Sequence, residues 1–381
     1  MNLLLITIDG GRLDRILKSS IFNEISKNGT EFNNIITYAP YTIGAMHAVF
    51  SGEFGFKTGV NSYWSTYQFK KGQFRTLTEY LKENGFKTYG DAINELTIPK
   101  QGFDRLAYHD EDKDDLLQRH KKLIEEMKDV NSQGKKFFLY LHYSNIHTNI
   151  KKNVLKKFNN FSEEYFKNKK DNGKKYDKYF EGAENYISSI INHCKSLEIL
   201  SNTLIVIISD HGISIGDKFG ERAYGAFCYD YTVRTYLLFI CKNIIPKAKI
   251  EQQVRSIDIM PTILEILKIK QNPSLNKISG KSLVPLINGK QEDRTAIIET
   301  GNPLHNEQPP KEPNVVAIRK SNWKLIWNLY DNSKELYDLE KDSEEKNNLI
   351  NKNNEMKERL FRELIILHPR LAYVRKKIKQ K

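Results

Sequence analysis

Four stretches of the chain are apolar at nearly every position: "LLLITI" (3–8), "KFFLYLHYS" (136–144), "NTLIVIISDHG" (202–212) and "RTYLLFICK" (234–242). A strand covered on both faces gives such a run, whereas a half-exposed strand alternates. Between them lie stretches with helical spacing. "RTLTEYLKENG" (75–85) ends on a Gly C-cap signal, and "YISSIINHCKSLEIL" (186–200) repeats its apolar positions every three to four residues. Strands alternating with helices predict an α/β protein, a three-layer α/β/α sandwich with a mainly parallel central sheet, over residues 1–290.

The pattern changes after about residue 290. "VVAIRKSNWKLIWNL" and "KELYDLEKD" predict antiparallel strands joined by turns, and "SEEKNNLINKNNEMKERLFRELIIL" a charged closing helix. Residues 291–381 are therefore expected to form a small C-terminal α+β subdomain with an antiparallel sheet. The Lys-rich segments 111–135 and 150–182 are expected to be surface helices and loops shaping a pocket. No internal repeat is present.

The totals refine this picture only slightly. The 381 residues are 39% hydrophobic, enough for a sizeable core, and carry 60 Lys+Arg against 47 Asp+Glu, a net charge of +13. The excess is spread along the chain, as in "KKFNNFSEEYFKNKKDNGKKYDKYF", with no focused patch, which argues against nucleic-acid binding. The tail "RKKIKQK" reads as a solvated end. Cys194, Cys228 and Cys241 lack metal or disulfide spacing and are expected to be reduced and structural. "MNLLLITIDGG" lacks the features of a secretory signal, and no run reaches the ~18 apolar residues of a membrane span, so a cytoplasmic location is expected.

Candidate chemistry sits where strands end. "LLLITI" runs into Asp9, and "LIVIIS" into Asp210-His211-Gly212. In parallel sheets ligands collect beyond the carboxyl ends of strands. A carboxylate there can cap a turn, but two with an imidazole favour a cation that offsets the cost of burying them. "APYTIGAMHAVFSG" (39–52) brings a hydroxyl, Thr42, to the mouth of an otherwise small and apolar segment. On its own Thr42 reads as a helix N-cap.

Taken together these stretches resemble the sulfatase and alkaline-phosphatase superfamily, in its sulfatase-like branch. "LLITIDGGRLDRI" is similar to the opening strand with its metal-binding Asp and following Arg-x-Asp. "APYTIGAMHAVFSG" is similar to the nucleophile segment, "LYLHYSNIHTN" to the His-bearing stretch, and "VIISDHGISIGDKFGERAYG" to the metal-binding Asp-His-Gly and its loop. "VRSIDIMPTILEILKI", "ISGKSLVPLING" and "ELYDLEKDSEEKNNL" follow in the order of the C-terminal landmarks. The resemblance implies that Thr42 is the nucleophile and that Asp9, Thr42, Asp210 and His211 hold a divalent metal, Mn, Zn, Mg or Ca. It implies that His147, Arg222 and Lys218 face the anion or leaving group, with His142 a weaker candidate. His47 and Tyr224 would stand behind them, and Arg12 and Asp14 would brace the first loop.

The departures narrow the expected chemistry. Sulfatases that use formylglycine carry Cys or Ser followed by Pro and Arg, where this chain has Thr42-Ile43-Gly44-Ala45-Met46, so no formylglycine is expected. Gly10 stands where many sulfatases have a second metal-binding Asp, and Asn145 where many relatives have Asp. A metal-dependent hydrolase of phosphate mono- or diesters, or of sulfate esters, is expected, with phosphate or phosphonate favoured. The substrate would be a small-molecule or glycan-linked anionic ester. The alternatives are a phosphotransferase of the same superfamily and a binding protein that retains only the fold.

Overall fold

The computed structural model describes residues 1–152, 163–218, 224–303 and 308–379. Its larger sheet contains β1 (Asn2–Ile8), β2 (Thr30–Ile36), β3 (Phe86–Ala92), β4 (Arg105–Tyr108), β5 (Lys136–Tyr143), β6 (Thr203–Ser209), β7 (Arg234–Ile240), β8 (Ala248–Ile250) and β9 (Val254–Arg255). The order is β4-β3-β5-β1-β6-β7-β2-β8, with β9 also on β2. β4, β3, β5, β1 and β6 are parallel neighbours. β7 runs against both β6 and β2. Consequently β1, β2, β3, β5 and β6 all end at one edge. The sheet is mainly parallel as expected, and β7 is its reversed member. Its run reads like its neighbours because burial on both faces makes a strand apolar whichever way it points.

Successive side chains of β1 leave opposite faces. Leu4, Ile6 and Ile8 join one core with Phe22, Leu123, Met127, Phe180 and Ile187, while Leu3 and Leu5 join another with Met46, Phe50, Leu81, Ile259 and Ile263. These are the two helical layers of the sandwich. Each fully buried aliphatic side chain contributes roughly 1.5–3 kcal/mol to holding them on the sheet.

Two expectations need correction. The segments read as surface insertions supply main covering helices: Leu116–Ser132 buries Leu116, His120, Leu123, Ile124 and Met127, and Lys169–Ser196 buries Tyr176, Phe180, Tyr186, Ile187 and Ile190 among others. Lys-rich outer faces mask their inner stripes when polarity is averaged over a window. Residues 153–162 of that reading lie outside the described residues. The closing helix spans Asn354–Leu367, capped by the Asn353 side chain, so the preceding part of the charged segment is not helical.

The second sheet, β10 (Ala296–Thr300), β11 (Val315–Lys320), β12 (Trp323–Asn328) and β13 (Lys334–Asp338), is a consecutive antiparallel meander. Leu325, Trp327 and Leu336 pack with Leu360, Phe361 and Leu364, and the same core reaches Tyr38, Tyr41 and Ala48. The smaller sheet therefore backs the segment that carries Thr42. Cys194, Cys228 and Cys241 are all buried and unbridged. Among the described residues, no helix is long and apolar enough to cross a membrane.

Candidate active site

Asp9 directly follows the central strand β1, and its N–H extends the sheet by donating to the Tyr143 carbonyl at 3.0 Å. Asp210 and His211 follow β6, the neighbour of β1 on one side, and His142 lies on β5, the neighbour on the other. Thr42 arrives from β2 as the first residue of the helix Thr42–Ser51. Tyr41 occupies the capping position without a side-chain bond, so the Thr42 hydroxyl is free of the capping duty its residue type suggests. It instead donates to Asp9 Oδ2 at 3.3 Å and lies 3.3 Å from His211 Nε2. The helix N-terminus adds partial positive charge beside it, which favours an anion there.

Hydrogen bonding fixes the ring protons. His211 Nδ1 lies 2.9 Å from the Gly212 carbonyl and so donates, leaving Nε2 with a lone pair. That lone pair faces Asp9 Oδ1 at 3.5 Å and Asp210 Oδ2 at 3.7 Å, and both oxygens are buried without a hydrogen-bond partner. Three lone-pair atoms turned toward one another demand a cation or a proton, so the donor set fits a divalent metal. Asp210 Oδ1 accepts from the N–H of His211 at 2.8 Å and of Gly10 at 3.3 Å, which aims its other oxygen inward. His142 donates from Nε2 to Asp9 Oδ2 at 3.1 Å, and its Nδ1 accepts from the Tyr140 hydroxyl at 2.7 Å.

The charges of these groups follow from their surroundings. Burial alone pushes the Asp9 carboxyl up, but the positive field of His147 and the bond from His142 outweigh it and hold Asp9 well below the usual carboxylate range. Burial, reinforced by the charge of Asp9, pushes Asp210 up. Burial lowers His147, and the charges of Asp9 and Glu111 raise it above its ordinary value.

The other expected residues separate into groups. His147 leads toward the cluster from the helix Asn145–Ile150, its ring 4.8 Å from Tyr224, which also stacks on His211 at 5.5 Å. Arg12 is buried, bonded to Asp14 at 2.9 Å, to Asp217 at 2.7 Å and to the Ile213 carbonyl at 2.8 Å, and so braces the first loop. His47 turns away to the Leu96 carbonyl at 3.3 Å, and burial pushes it down to about 4. Lys218 is directed to the second sheet rather than to the anion position. Its ammonium reaches the Tyr337 hydroxyl at 2.7 Å and the Glu345 carbonyl at 2.9 Å and lies over the Tyr229 ring, where aromatic faces and acceptors satisfy it. Arg222 lies outside the described residues.

Gly10 has φ +74°, and a Cβ there would meet Ile213 Cδ1 at 2.5 Å. The space a second acid would enter is thus filled by an apolar side chain. Asn145 is half-buried at the start of its short helix.

Sequence reading missed two groups. Glu111, from a segment read as surface, lies 3.8 Å from His147 Nδ1 and accepts from the Thr148 hydroxyl. Asp91, His109 and His120 form a second buried cluster next to β5, bonded to Arg119 and Ser144. Asp91 sits in a short strand and the two His in unrelated segments, so no spacing links them.

Fold and site define a class: a three-layer α/β protein with a candidate metal centre and a hydroxyl group at the carboxyl edge of its sheet. The chain belongs to the sulfatase family, whose sequence profile matches residues 9–269, while that of N-sulphoglucosamine sulphohydrolase, C-terminal, matches residues 221–370. Over 165 residues it is 27% identical to a choline-sulfatase of Rhizobium meliloti, an alignment covering 43% of this chain and 30% of that protein. The chain thus aligns with under a third of that relative's length. A protein solved with its substrate D-glucosamine-2-N,6-O-disulfate superposes with a TM-score of 0.69 at 17% identity, covering 99% of this chain and 98% of that one. A phosphonate monoester hydrolase from Silicibacter pomeroyi superposes with a TM-score of 0.71 at 15% identity, covering 97% and 95%. At these identities the superpositions establish the fold.

Proposed function

We propose that the chain is a metal-dependent ester hydrolase with Thr42 as nucleophile, acting on phosphate or phosphonate esters in preference to sulfate esters. The observation that carries this reading is the Thr42 hydroxyl, uncommitted to a helix cap and 3.3 Å from both Asp9 and His211. Asp9, Asp210 and His211 would hold the cation, together with Thr42. A bound divalent cation would supply Lewis acidity and lower the pKa of a nearby hydroxyl.

The chain's own groups divide the remaining work. Thr42 Oγ1 attacks phosphorus or sulfur in line with the leaving oxygen, whose bond breaks as the new one forms, and the hydroxyl proton leaves through Asp9 Oδ2, the atom it already donates to. His147, which burial lowers but the charges of Asp9 and Glu111 raise above its ordinary value, offsets charge on the nonbridging oxygens when protonated. His142 keeps Asp9 oriented throughout. Water then cleaves the Thr42 ester, freeing the site for another turnover. The substrate class is a small molecule or glycan bearing an anionic ester, a reading supported by one similar fold solved with a glucosamine disulfate as its substrate. A Thr cannot become formylglycine, which favours the phosphate branch over ordinary sulfatase chemistry.

The test is turnover of p-nitrophenyl phosphate, phenylphosphonate, bis-phosphate and sulfate after chelation and single-metal add-back. Metal-dependent turnover that falls about 10³-fold or more in Thr42→Ala is expected. Turnover unchanged in Thr42→Ala contradicts the reading.

A further inference from the structure

Across β5 from Asp9 lies a buried chain of polar groups that the proposed reaction does not use. Asp91 is the penultimate residue of β3, His109 follows β4, and His120 lies on the helix Leu116–Ser132. Asp91, His109, His120 and Ser144 are all buried. Arg119 forks onto the carboxylate, from Nε to Oδ2 at 3.0 Å and from Nη2 to Oδ1 at 2.9 Å. Oδ2 is also 3.1 Å from His109 Nδ1 and 3.0 Å from His120 Nε2.

Proton assignments follow from these contacts. An ionised carboxylate only accepts, so each imidazole presents an N–H to Asp91 and a lone pair on its far side. The lone pair of His109 Nε2 accepts from the Ser144 hydroxyl at 3.0 Å, and that of His120 Nδ1 accepts from the Tyr186 hydroxyl at 2.6 Å. Every donor finds an acceptor with both rings neutral. Burial pushes His120 below its ordinary value, in keeping with a neutral ring. The residue types would suit a metal, yet the Arg119 fork already supplies the positive charge that Asp91 needs, and the ring nitrogens facing it carry protons.

The connectivity of acid, imidazole and hydroxyl is that of a nucleophilic triad. Its hydroxyl, however, is fully buried and donates into the ring, so it anchors rather than attacks. What it anchors is the turn bearing His147. Ser144 is the last residue before the helix Asn145–Ile150, and its carbonyl accepts from Thr148 N at 3.0 Å. The preceding carbonyl, of Tyr143, holds Asp9 N at 3.0 Å. Side chain and backbone of one short segment thus link β3, Asp9 and His147.

We propose that Asp91, His109 and Ser144 are positioning residues that fix the turn carrying His147 toward Asp9. This rests on the reading of His147 as the group facing the ester anion. The chain acts through His147 and touches no substrate itself. Losing such a supporting contact typically lowers activity 10–100-fold.

The test has two arms. Nitrogen-15 spectra of histidine-labelled protein are expected to show His109 protonated at Nδ1 and accepting at Nε2, and Ser144→Ala to shift the His147 signals. In the second arm Ser144→Ala lowers kcat on the preferred nitrophenyl ester about 10-fold or more, with KM within about twofold. Asp91→Asn moves both readouts the same way. Tyr186→Phe, which removes the hydroxyl at the opposite end of the network, lowers thermal stability and leaves kcat and the His147 signals in place. A His109 protonated at Nε2 in the unaltered protein overturns the proposal. So do unmoved His147 signals in a folded Ser144→Ala variant. If no ester is turned over, the reading of function fails while the spectra still judge the positioning.

Discussion

Thr42 shows how far a single residue can be read. Its type favours a helix cap, and the structure places it one position inside the helix, where its hydroxyl meets Asp9 and His211 instead. Asp9, Asp210 and His211 were legible because charge at the end of an apolar strand is costly and therefore conspicuous. Asp91, His109 and His120 were not, since a pairing made only by tertiary structure leaves no spacing in the chain. Lys218 was misdirected because a basic residue in a polar turn gives no sign of which neighbour will hold it. At Gly10 the fold resists an acid. Gly10→Asp is expected to cost about 1–3 kcal/mol, from backbone strain at φ +74° and contact with Ile213, read as a fall in Tm. Adding Ile213→Ala should relieve the contact but not the backbone strain, so equal Tm values for Gly10→Asp with and without it would show that crowding is not the cause.

At the scale of elements, the fully buried strands were legible and the mixed ones were not. β1, β5 and β6 are apolar runs, whereas β2 ("TEFNNII") and β3 ("FKTYGDA") carry polar residues and a glycine and fall below any apolar threshold. Both nevertheless deliver site residues, Thr42 after β2 and Asp91 within β3. The long helix Lys169–Ser196 was recognised only in its apolar C-terminal part, because its earlier turns are dominated by Lys and Asp. Its buried stripe can be tested directly. Ile187→Ala should cost about 2–5 kcal/mol in urea unfolding through a cavity against the sheet, while Glu181→Ala on the exposed face should stay within about 0.5 kcal/mol. Equal effects at the two positions would mean that the helix is not held by this face.

At the scale of the molecule, the two sheets are tied by buried charge as well as by apolar packing. Asp230, the first residue of the short helix Asp230–Val233 that leads into β7, meets Arg319 at 3.1 Å and Lys324, and Lys324 also holds Glu345 at 2.8 Å. Burial pushes the Asp230 carboxyl up, but the charges of Arg319 and Lys324 outweigh it and keep it well below the ordinary range. A depressed folded-state pKa means that this contribution is complete above the unfolded value, about 3.9, and is lost as pH falls below it toward the folded value. Removing one partner leaves the others buried and unpaired, so Lys324→Met should cost about 3–5 kcal/mol near pH 7, and the gap to the unaltered protein should narrow as the solution is acidified. A gap constant from pH 7 to pH 3 would contradict that linkage. Both sheets were legible as changes of pattern, yet this tie was not, because its members are spread over more than a hundred residues. What the assembled molecule does turns on one hydroxyl. The most direct measurement is to quench the metal-loaded protein during turnover of its preferred nitrophenyl ester and weigh the peptide containing Thr42. A peptide heavier by the transferred group, modified at Thr42 and absent from Thr42→Ala, is the expected result. Full turnover with that peptide never modified, and with the variant equally active, would contradict a Thr42 nucleophile.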